Sequence, residues 1–380
     1  MANQAFNEAK QPVTKLQIGI TFDQSAVNLS QGWWSNGITQ NIKFYFDLLE
    51  KLGHQPVFLT SSSNQGPSFP VTIKFEEKTY KTLSYSEVVE KHIKLHLIIE
   101  AGLSISPHDN ELLRETSDAN VIGLRCGNPL FMDMEGLFLK HDLPIGLHER
   151  VQDVMWLLPQ HGKQKQFVEV VHGCPAQVVP YIWEPDFISS IGELPPLPDT
   201  PNIMVMEPNV SIVKNALIPM TILESLYLRS PDSFDKAYVL GSENWFNKDY
   251  FLNNFVQHLH VLQSETEKVY FCPRYRFPEV MQIKAALLGF QIENELNYLY
   301  NEAIYCDLPF VHNARAYEEV GHYYPDYDIS AATDQVLKAI AENKQSKTQE
   351  KRRQFLFQYS INNPSVQKHY QALLEYAMSF

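Results

Sequence analysis

Short apolar runs alternate with segments in which apolar residues recur every three or four positions, and this alternation extends over most of the chain. "KLQIGITFD" (Lys15 to Asp23) is a continuous run of strand length. After a polar loop, Ile38, Ile42, Tyr45, Phe46, Leu49 and Leu52 recur at helical spacing. Gly53 closes that helix and "HQPVFLT" resumes a strand. "KLHLIIEAG" and "NVIGLRCGN" are further short apolar runs ending in glycine, the pattern of strands buried on both faces of a parallel sheet with helices between them. Only "TIKFEEKTYKTLSYSEVVEKHIK" interrupts this order, and it reads as a hairpin followed by a helix.

The second half follows the same plan. "NIMVMEPN", "KAYVLGS", "KVYFCPR" and "LPFVHN" read as strands, and "MTILESLYL" and "DYFLNNFVQHLHVL" as the helices between them. Between the halves, "SSIGELPPLPDTPN" (Ser189 to Asn202) has four prolines and no periodicity, which marks a linker. The expected division is residues 1–190, residues 191–347 and a helical tail over 348–380 broken at Pro364. A length of 380 residues suits two cores better than one. The fold class is therefore α/β, two doubly wound units facing across a cleft, and in such sheets ligands bind beyond the carboxyl ends of the strands.

Composition narrows the ligand. A formal net charge of -13 opposes nucleic-acid binding driven by phosphate neutralisation, so no nucleic-acid partner is expected. The four cysteines are widely spaced with no C-x-x-C pair, which suggests neither a disulfide framework nor a zinc site and fits a reducing cytosol. The first residues are polar, and no run approaches the roughly 18 apolar residues of a membrane span. A cytoplasmic protein with at most peripheral membrane contact is expected.

The strand ends supply the candidates. Asp23 follows the first strand, and Gly37 opens the next helix, where free N–H groups favour an anion. Ser35 or Asn36 would cap that helix. Glu135 follows "NVIGLRC" and Asn128. Glu207, Asn209 and Lys214 follow "IMVM", in a segment kept irregular by Pro219. Arg274 and Arg276 follow "VYFCP", and with Lys214 they could neutralise a diphosphate. "ENELNYLYNEAIYCDLPFVHNA" adds Glu293, Asn294, Asn297 and Tyr298 ahead of or within the first turn of a helix expected from Leu296, with Glu302 further in. Glu295 and Glu302, seven residues apart, would share one helix face and could hold a polyhydroxylated ligand.

Other signatures are missing. The chain has no G-x-x-x-x-G-K-[ST], no G-x-G-x-x-G and no G-x-S-x-G. "DYD" at Asp326 to Asp328 follows "GHYYP" and reads as a turn rather than a metal site. No helical pair of histidines suits a metal, and His312 reads as a packed or capping residue. No metal or cofactor is therefore expected.

"WSNGITQNIKFYFDLLEKLGHQPVFL", "QVVPYIWEPDFI" and "ENELNYLYNEAIYCDLPFVHN" together resemble three segments of the GT-B glycosyltransferases: the first strand-loop-helix, the approach to the linker and the donor-sugar motif. With "MEPNVSIVKNALIPM" and "GHYYPDYD", the likeness is greatest to the bacterial domain-of-unknown-function family 2827, over nearly the whole chain. The resemblance implies that Glu302 contacts a ribose, that Asn294 stands where such enzymes commonly carry a glutamate, and that Lys214 with an arginine holds the donor phosphates. It further implies transfer of a sugar from a nucleotide-sugar donor to a glycan, lipid-linked or other hydroxyl acceptor in surface-glycan synthesis. A base for the acceptor would come from the first unit, with Asp23 and Glu135 as the carboxylates to test. A nucleotide-sugar epimerase of the same architecture, or a non-catalytic binder of glycans or nucleotides, is the alternative.

Overall fold

A computed structural model describes residues 15–23, 32–34, 37–61, 73–139, 150–191, 194, 196–342 and 349–380. The first unit holds β1 (Gln17–Thr21), α1 (Gly37–Lys51), β2 (Gln55–Thr60), β3 (Ile73–Phe75), β4 (Lys78–Tyr80), β5 (Thr82–Ser84), α2 (Tyr85–Glu90), β6 (Leu97–Glu100), α3 (Pro107–Ser117), β7 (Asn120–Arg125), α4 (Pro129–Phe138), β8 (Val154–Leu157), α5 (Lys165–His172) and β9 (Ala176–Val178). Seven of its strands form a parallel sheet in the order β5-β2-β1-β6-β7-β8-β9. β3 and β4 are the expected hairpin, antiparallel and separate from that sheet.

The second unit holds β10 (Asn202–Val205), α6 (Leu217–Arg229), β11 (Ala237–Leu240), α7 (Asp249–Asn254), β12 (Val269–Cys272), α8 (Phe277–Val280), β13 (Ala285–Leu288), α9 (Tyr298–Tyr305), β14 (Phe310–His312), β15 (His322–Tyr323) and α10 (Ile329–Glu342). Its sheet runs β12-β11-β10-β13-β14-β15, all parallel. Both orders reverse direction once, beside β1 and beside β10, so each sheet has a switch point at which a crevice opens. At the end of β13, Gly289 lets α9 press onto the sheet: a Cβ there would lie 2.6 Å from the Tyr300 hydroxyl.

The tail forms α11 (Gln349–Phe357) and α12 (Pro364–Ala377), with Pro364 at the first position of the second helix, where its missing N–H costs nothing. α11 packs on α9 of the second unit, whereas α12 returns to the first. There the Tyr370 hydroxyl meets the Tyr45 hydroxyl at 2.7 Å, and Asn120 Nδ2 donates to the Ala377 carbonyl at 2.9 Å. The returning chain runs beside the outgoing one: the Trp183 N–H donates to the Tyr359 carbonyl at 3.0 Å, and Glu184 Oε1 accepts from the Ile361 N–H at 2.7 Å.

Two expected helices differ from what forms. "DYFLNNFVQHLHVL" yields only α7 followed by single 3-10 turns. The buried Glu224 carboxylate on α6 accepts from the Val261 N–H and from His260 Nδ1, both at 2.8 Å, and so draws the chain off a continuous helical path. α9 begins at Tyr298 rather than Leu296 because Asn297 caps it, its Oδ1 accepting from the Leu299 N–H at 3.2 Å. Glu295 therefore lies outside the helix, and its Oε2 accepts from the Ala316 N–H at 3.0 Å. It does not share a face with Glu302.

Candidate functional site

The carboxyl ends of both sheets point at one cavity of about 400 Å³ between the units. The first unit lines it with Gly37, Ile38, Gln40 and Asn41 at the start of α1, with Cys126 and Gly127 beyond β7, and with Met132, Leu158 and Tyr181. The second contributes the segments after β10, β11, β12 and β13 and the first turns of α9. The inner end, at Tyr181, is buried, while Met132 and Val210 at the mouth are exposed.

Glu302 is the most telling group in this cavity. It is 5% exposed, and its carboxylate receives no hydrogen bond from any described residue. Burial alone pushes its carboxyl up to about 8. An ionisable group kept this way lowers stability unless a ligand supplies the missing donors. Glu207, at the end of β10, is equally buried but accepts from the Phe290 N–H at 3.2 Å and from Gln291 Nε2 at 2.8 Å. Burial raises it to about 7, against the pull of those donors and of Lys214.

Opposite these acids stand the cations. Lys214, half-buried in the loop between β10 and α6, makes no ion pair with a described residue; burial lowers its ammonium, the Glu207 charge opposes that, and Arg274 adds to it. Arg274 is exposed at the cavity edge and has no partner among the described residues. Arg276 differs, because Glu279 Oε1 accepts from its Nε at 2.8 Å and its Nη2 at 2.6 Å. Two untethered cations therefore face the space next to two buried acids. The α1 N-terminus, with Gly37 and Ile38 on the cavity, adds the positive end of a 15-residue helix.

Of the residues expected from sequence, Gly37, Glu207, Lys214, Arg274, Asn294, Asn297, Tyr298 and Glu302 line this cavity. Asp23, Glu135, Asn209 and Glu293 do not. Beyond β1, Phe22 turns onto Phe58 and Trp33, which leaves Asp23 off the cavity lining. Asn209 holds its own loop in shape, donating to the Leu240 carbonyl at 3.0 Å and accepting from the Ala216 N–H at 2.8 Å. Glu293 contributes a backbone carbonyl that accepts from Asn128 Nδ2 at 2.9 Å. Glu135 is buried, and its Oε1 accepts from Ser211 Oγ at 2.7 Å and from the Ile212 N–H at 2.6 Å, clamping the Lys214 loop to the first unit. Ser35 and Asn36 lie outside the described residues.

Gln160 has no sequence signal, yet it bridges the units: its Nε2 donates to Asn294 Oδ1 at 3.0 Å and its Oε1 accepts from the Leu296 N–H at 3.2 Å. Asn294 is thus held by an amide partner from the other unit. Beside it His161 is buried and neutral, lowered to about 4 by burial and then by the Lys214 charge. Burial raises the Cys126 thiol to about 12, so it lines the cavity as a small apolar group. As the sequence suggested, Asp328 is a turn residue, its Oδ1 accepting from the Ala331 N–H at 2.9 Å, and His312 is packed inside. Among the described residues no cluster of His, Cys, Asp and Glu could hold a metal, and no helix is long and apolar enough to cross a membrane.

A family described as proteins of unknown function, DUF2827, matches residues 18–374. The chain belongs to the DUF2827 family. No curated protein matches it in sequence. Solved structures do match this DUF2827 member in shape. An alpha-glucosyltransferase in complex with UDP and a 13-mer DNA containing an HMU base is similar, with TM-score 0.60 and 10% identity over 96% of this chain and 100% of that one. A trehalose-6-phosphate synthase is similar with TM-score 0.57 and 11% identity over 96% and 99% of the two chains. A trehalose 6-phosphate synthase from Burkholderia multivorans gives TM-score 0.54 and 11% identity over 96% and 98%. The DUF2827 member has the GT-B fold of these glycosyltransferases, two Rossmann-like units across a cleft. Because one neighbour was solved with DNA, the expectation that nucleic acid is no partner rests on net charge alone.

Proposed function

We propose that this chain transfers a sugar from a nucleoside-diphosphate donor to an acceptor hydroxyl. The observation that carries this reading is the unpartnered Glu302 carboxylate, which shares a cavity with untethered Lys214 and Arg274. Two ribose hydroxyls supply the donors that Glu302 lacks, and the cations and the α1 terminus meet the diphosphate. The UDP and UDP-glucose bound by structural neighbours fit this assignment. In the reaction the acceptor oxygen bonds to the anomeric carbon as that carbon's bond to the phosphate oxygen breaks, and the electron pair leaves with the diphosphate. Lys214 and Arg274 stabilise the charge that develops there. Among the described residues the first unit brings no carboxylate to the cavity, so in this reading the departing phosphate oxygen takes the acceptor's proton.

Calorimetry with UDP, GDP, dTDP and CMP tests the reading. One diphosphate should bind clearly more tightly than the rest, and Lys214→Ala should weaken it by about 1.5–3 kcal/mol with little effect on the bare nucleoside. Equal losses for nucleotide and nucleoside, or no binding by any nucleotide, would overturn it.

A further inference from the structure

Two buried amides line the cavity with hydrogen-bonding capacity unused, one from each unit. Gln40, one turn into α1, is 5% exposed, and its side chain makes no hydrogen bond with any described residue. Asn294 is equally buried, and its neighbours fix which way its amide faces. The Leu296 N–H can only donate, so Gln160 turns Oε1 to it and Nε2 to Asn294, which must meet that Nε2 with Oδ1. Asn294 Nδ2 is left with no acceptor among the described residues. The two amides flank one crossing of the cleft. There Asn41, next to Gln40, donates from Nδ2 to the hydroxyl of Tyr298, which opens the helix that Asn294 precedes.

A buried polar group without a partner costs stability, and here that cost falls on two walls of one cavity. Glu302 is assigned to the ribose and Lys214 and Arg274 to the diphosphate, and all three belong to the second unit. The first unit's wall, from Gly37 and Gln40 to Cys126 and Tyr181, carries no charged side chain among the described residues. Amides supply donors and acceptors but neutralise no charge, so they suit a group that bears hydroxyls and is itself uncharged. We infer that Gln40 and Asn294 select the group transferred, and that this group is a neutral sugar rather than a uronic acid or an amino sugar. This selection rests on the transfer reading, in which the acid and the cations of the second unit take the nucleotide and leave the sugar to the two amides.

Calorimetry with UDP, UDP-glucose, UDP-galactose, UDP-glucuronate and UDP-glucosamine tests this, or with the matching GDP or dTDP set if that diphosphate binds better. One of the neutral donors should bind more tightly than the bare diphosphate, and more tightly than either charged donor by about tenfold or more. Gln40→Ala and Asn294→Ala should each weaken the preferred neutral donor roughly three- to tenfold, as expected for one neutral hydrogen bond, and the loss should fall on the sugar nucleotide and not on the diphosphate. Gln40→Met should show the same loss yet unfold at no lower temperature than the wild type, since no hydrogen bond of the fold is removed. Should Asn294→Ala fail to fold, Asn294→Asp keeps the Gln160 contact and should move the preference toward UDP-glucosamine. Tighter binding of a charged donor, no gain from any neutral sugar, or equal losses for diphosphate and sugar nucleotide would overturn the selection and leave the transfer reading standing. Binding of no nucleotide at all would remove both together.

Discussion

The Glu135 clamp gives a prediction whose size follows from the structure. One carboxylate oxygen accepts two short hydrogen bonds from the loop that bears Lys214, and both come from the opposite unit. Hydrogen bonds to a charged group contribute about 1.5–3 kcal/mol each, but opening the cleft returns all three groups to water, so the net bias toward closure is nearer 2–4 kcal/mol in total. Glu135→Gln keeps an acceptor oxygen and should lose about 1 kcal/mol of this, and Glu135→Ala nearly all of it. A loss of about 2 kcal/mol shifts the balance of open and closed forms roughly thirtyfold, which sets the largest fall in donor affinity at that loss. UDP should weaken more than uridine, because the released loop carries Lys214, which the proposed reading sets against the donor phosphates. Small-angle scattering of the free chain should report a larger radius of gyration for Glu135→Ala. A double cycle with Ser211→Ala separates the clamp from misfolding, since the two substitutions should be clearly non-additive. Wild-type UDP affinity and an unchanged scattering profile in Glu135→Ala would refute the clamp and reopen its reading as a base.

Other expectations follow from the same geometry. Glu302→Gln should weaken ribonucleotides by about 1.5–3 kcal/mol and 2′-deoxynucleotides less; an identical loss for the matched pair would reject the ribose contact. Because Glu302 and Glu207 hold protons up to about pH 8 and about pH 7 while the unfolded chain loses them near the ordinary 4.5, the folded chain binds more protons across that window, and the contribution of these groups to stability falls as pH rises through it. Thermal unfolding between pH 5 and 9 should show Glu302→Gln gaining on the wild type as pH rises, and a constant difference would contradict the raised value. UDP binding that ionises Glu302 should tighten about tenfold from pH 7 to pH 9, where the terminal phosphate is already charged, and Glu302→Gln should flatten that profile. Tyr370→Phe, which removes the hydrogen bonds to the Tyr45 hydroxyl and the Pro180 carbonyl, should cost about 1–2 kcal/mol in denaturant unfolding.

The sequence exposed those parts of the fold whose cause is local. α1 was legible from its apolar spacing and Gly53, and β10 and β11 from apolar runs that end in turns. β13 was not, because its four buried residues merge with "GFQI" and it starts after Lys284, whose positive φ replaces the expected glycine signal. In the site, Lys214 and Glu302 followed from their place after a strand and within a helix. Glu135 and Asp23 carried the same kind of signal and fell elsewhere, since nearness to a strand end does not say which way the chain turns next. Gln160 was invisible because its partners, Asn294 and Leu296, lie more than 130 positions away.

The chain passes between the units twice, and the two passages touch at Trp183 with Tyr359 and at Glu184 with Ile361. A body tethered at one spot by two adjoining strands behaves as a lever pivoted there. Small torsional changes near residues 183 and 360 are magnified with distance from the pivot. Tyr181, against Tyr359, marks the quiet end of the cavity, and the exposed mouth at Met132 and Val210 the end with the longest travel. The Glu135 clamp sits near that moving end, where a pair of hydrogen bonds has the greatest mechanical advantage over the gap.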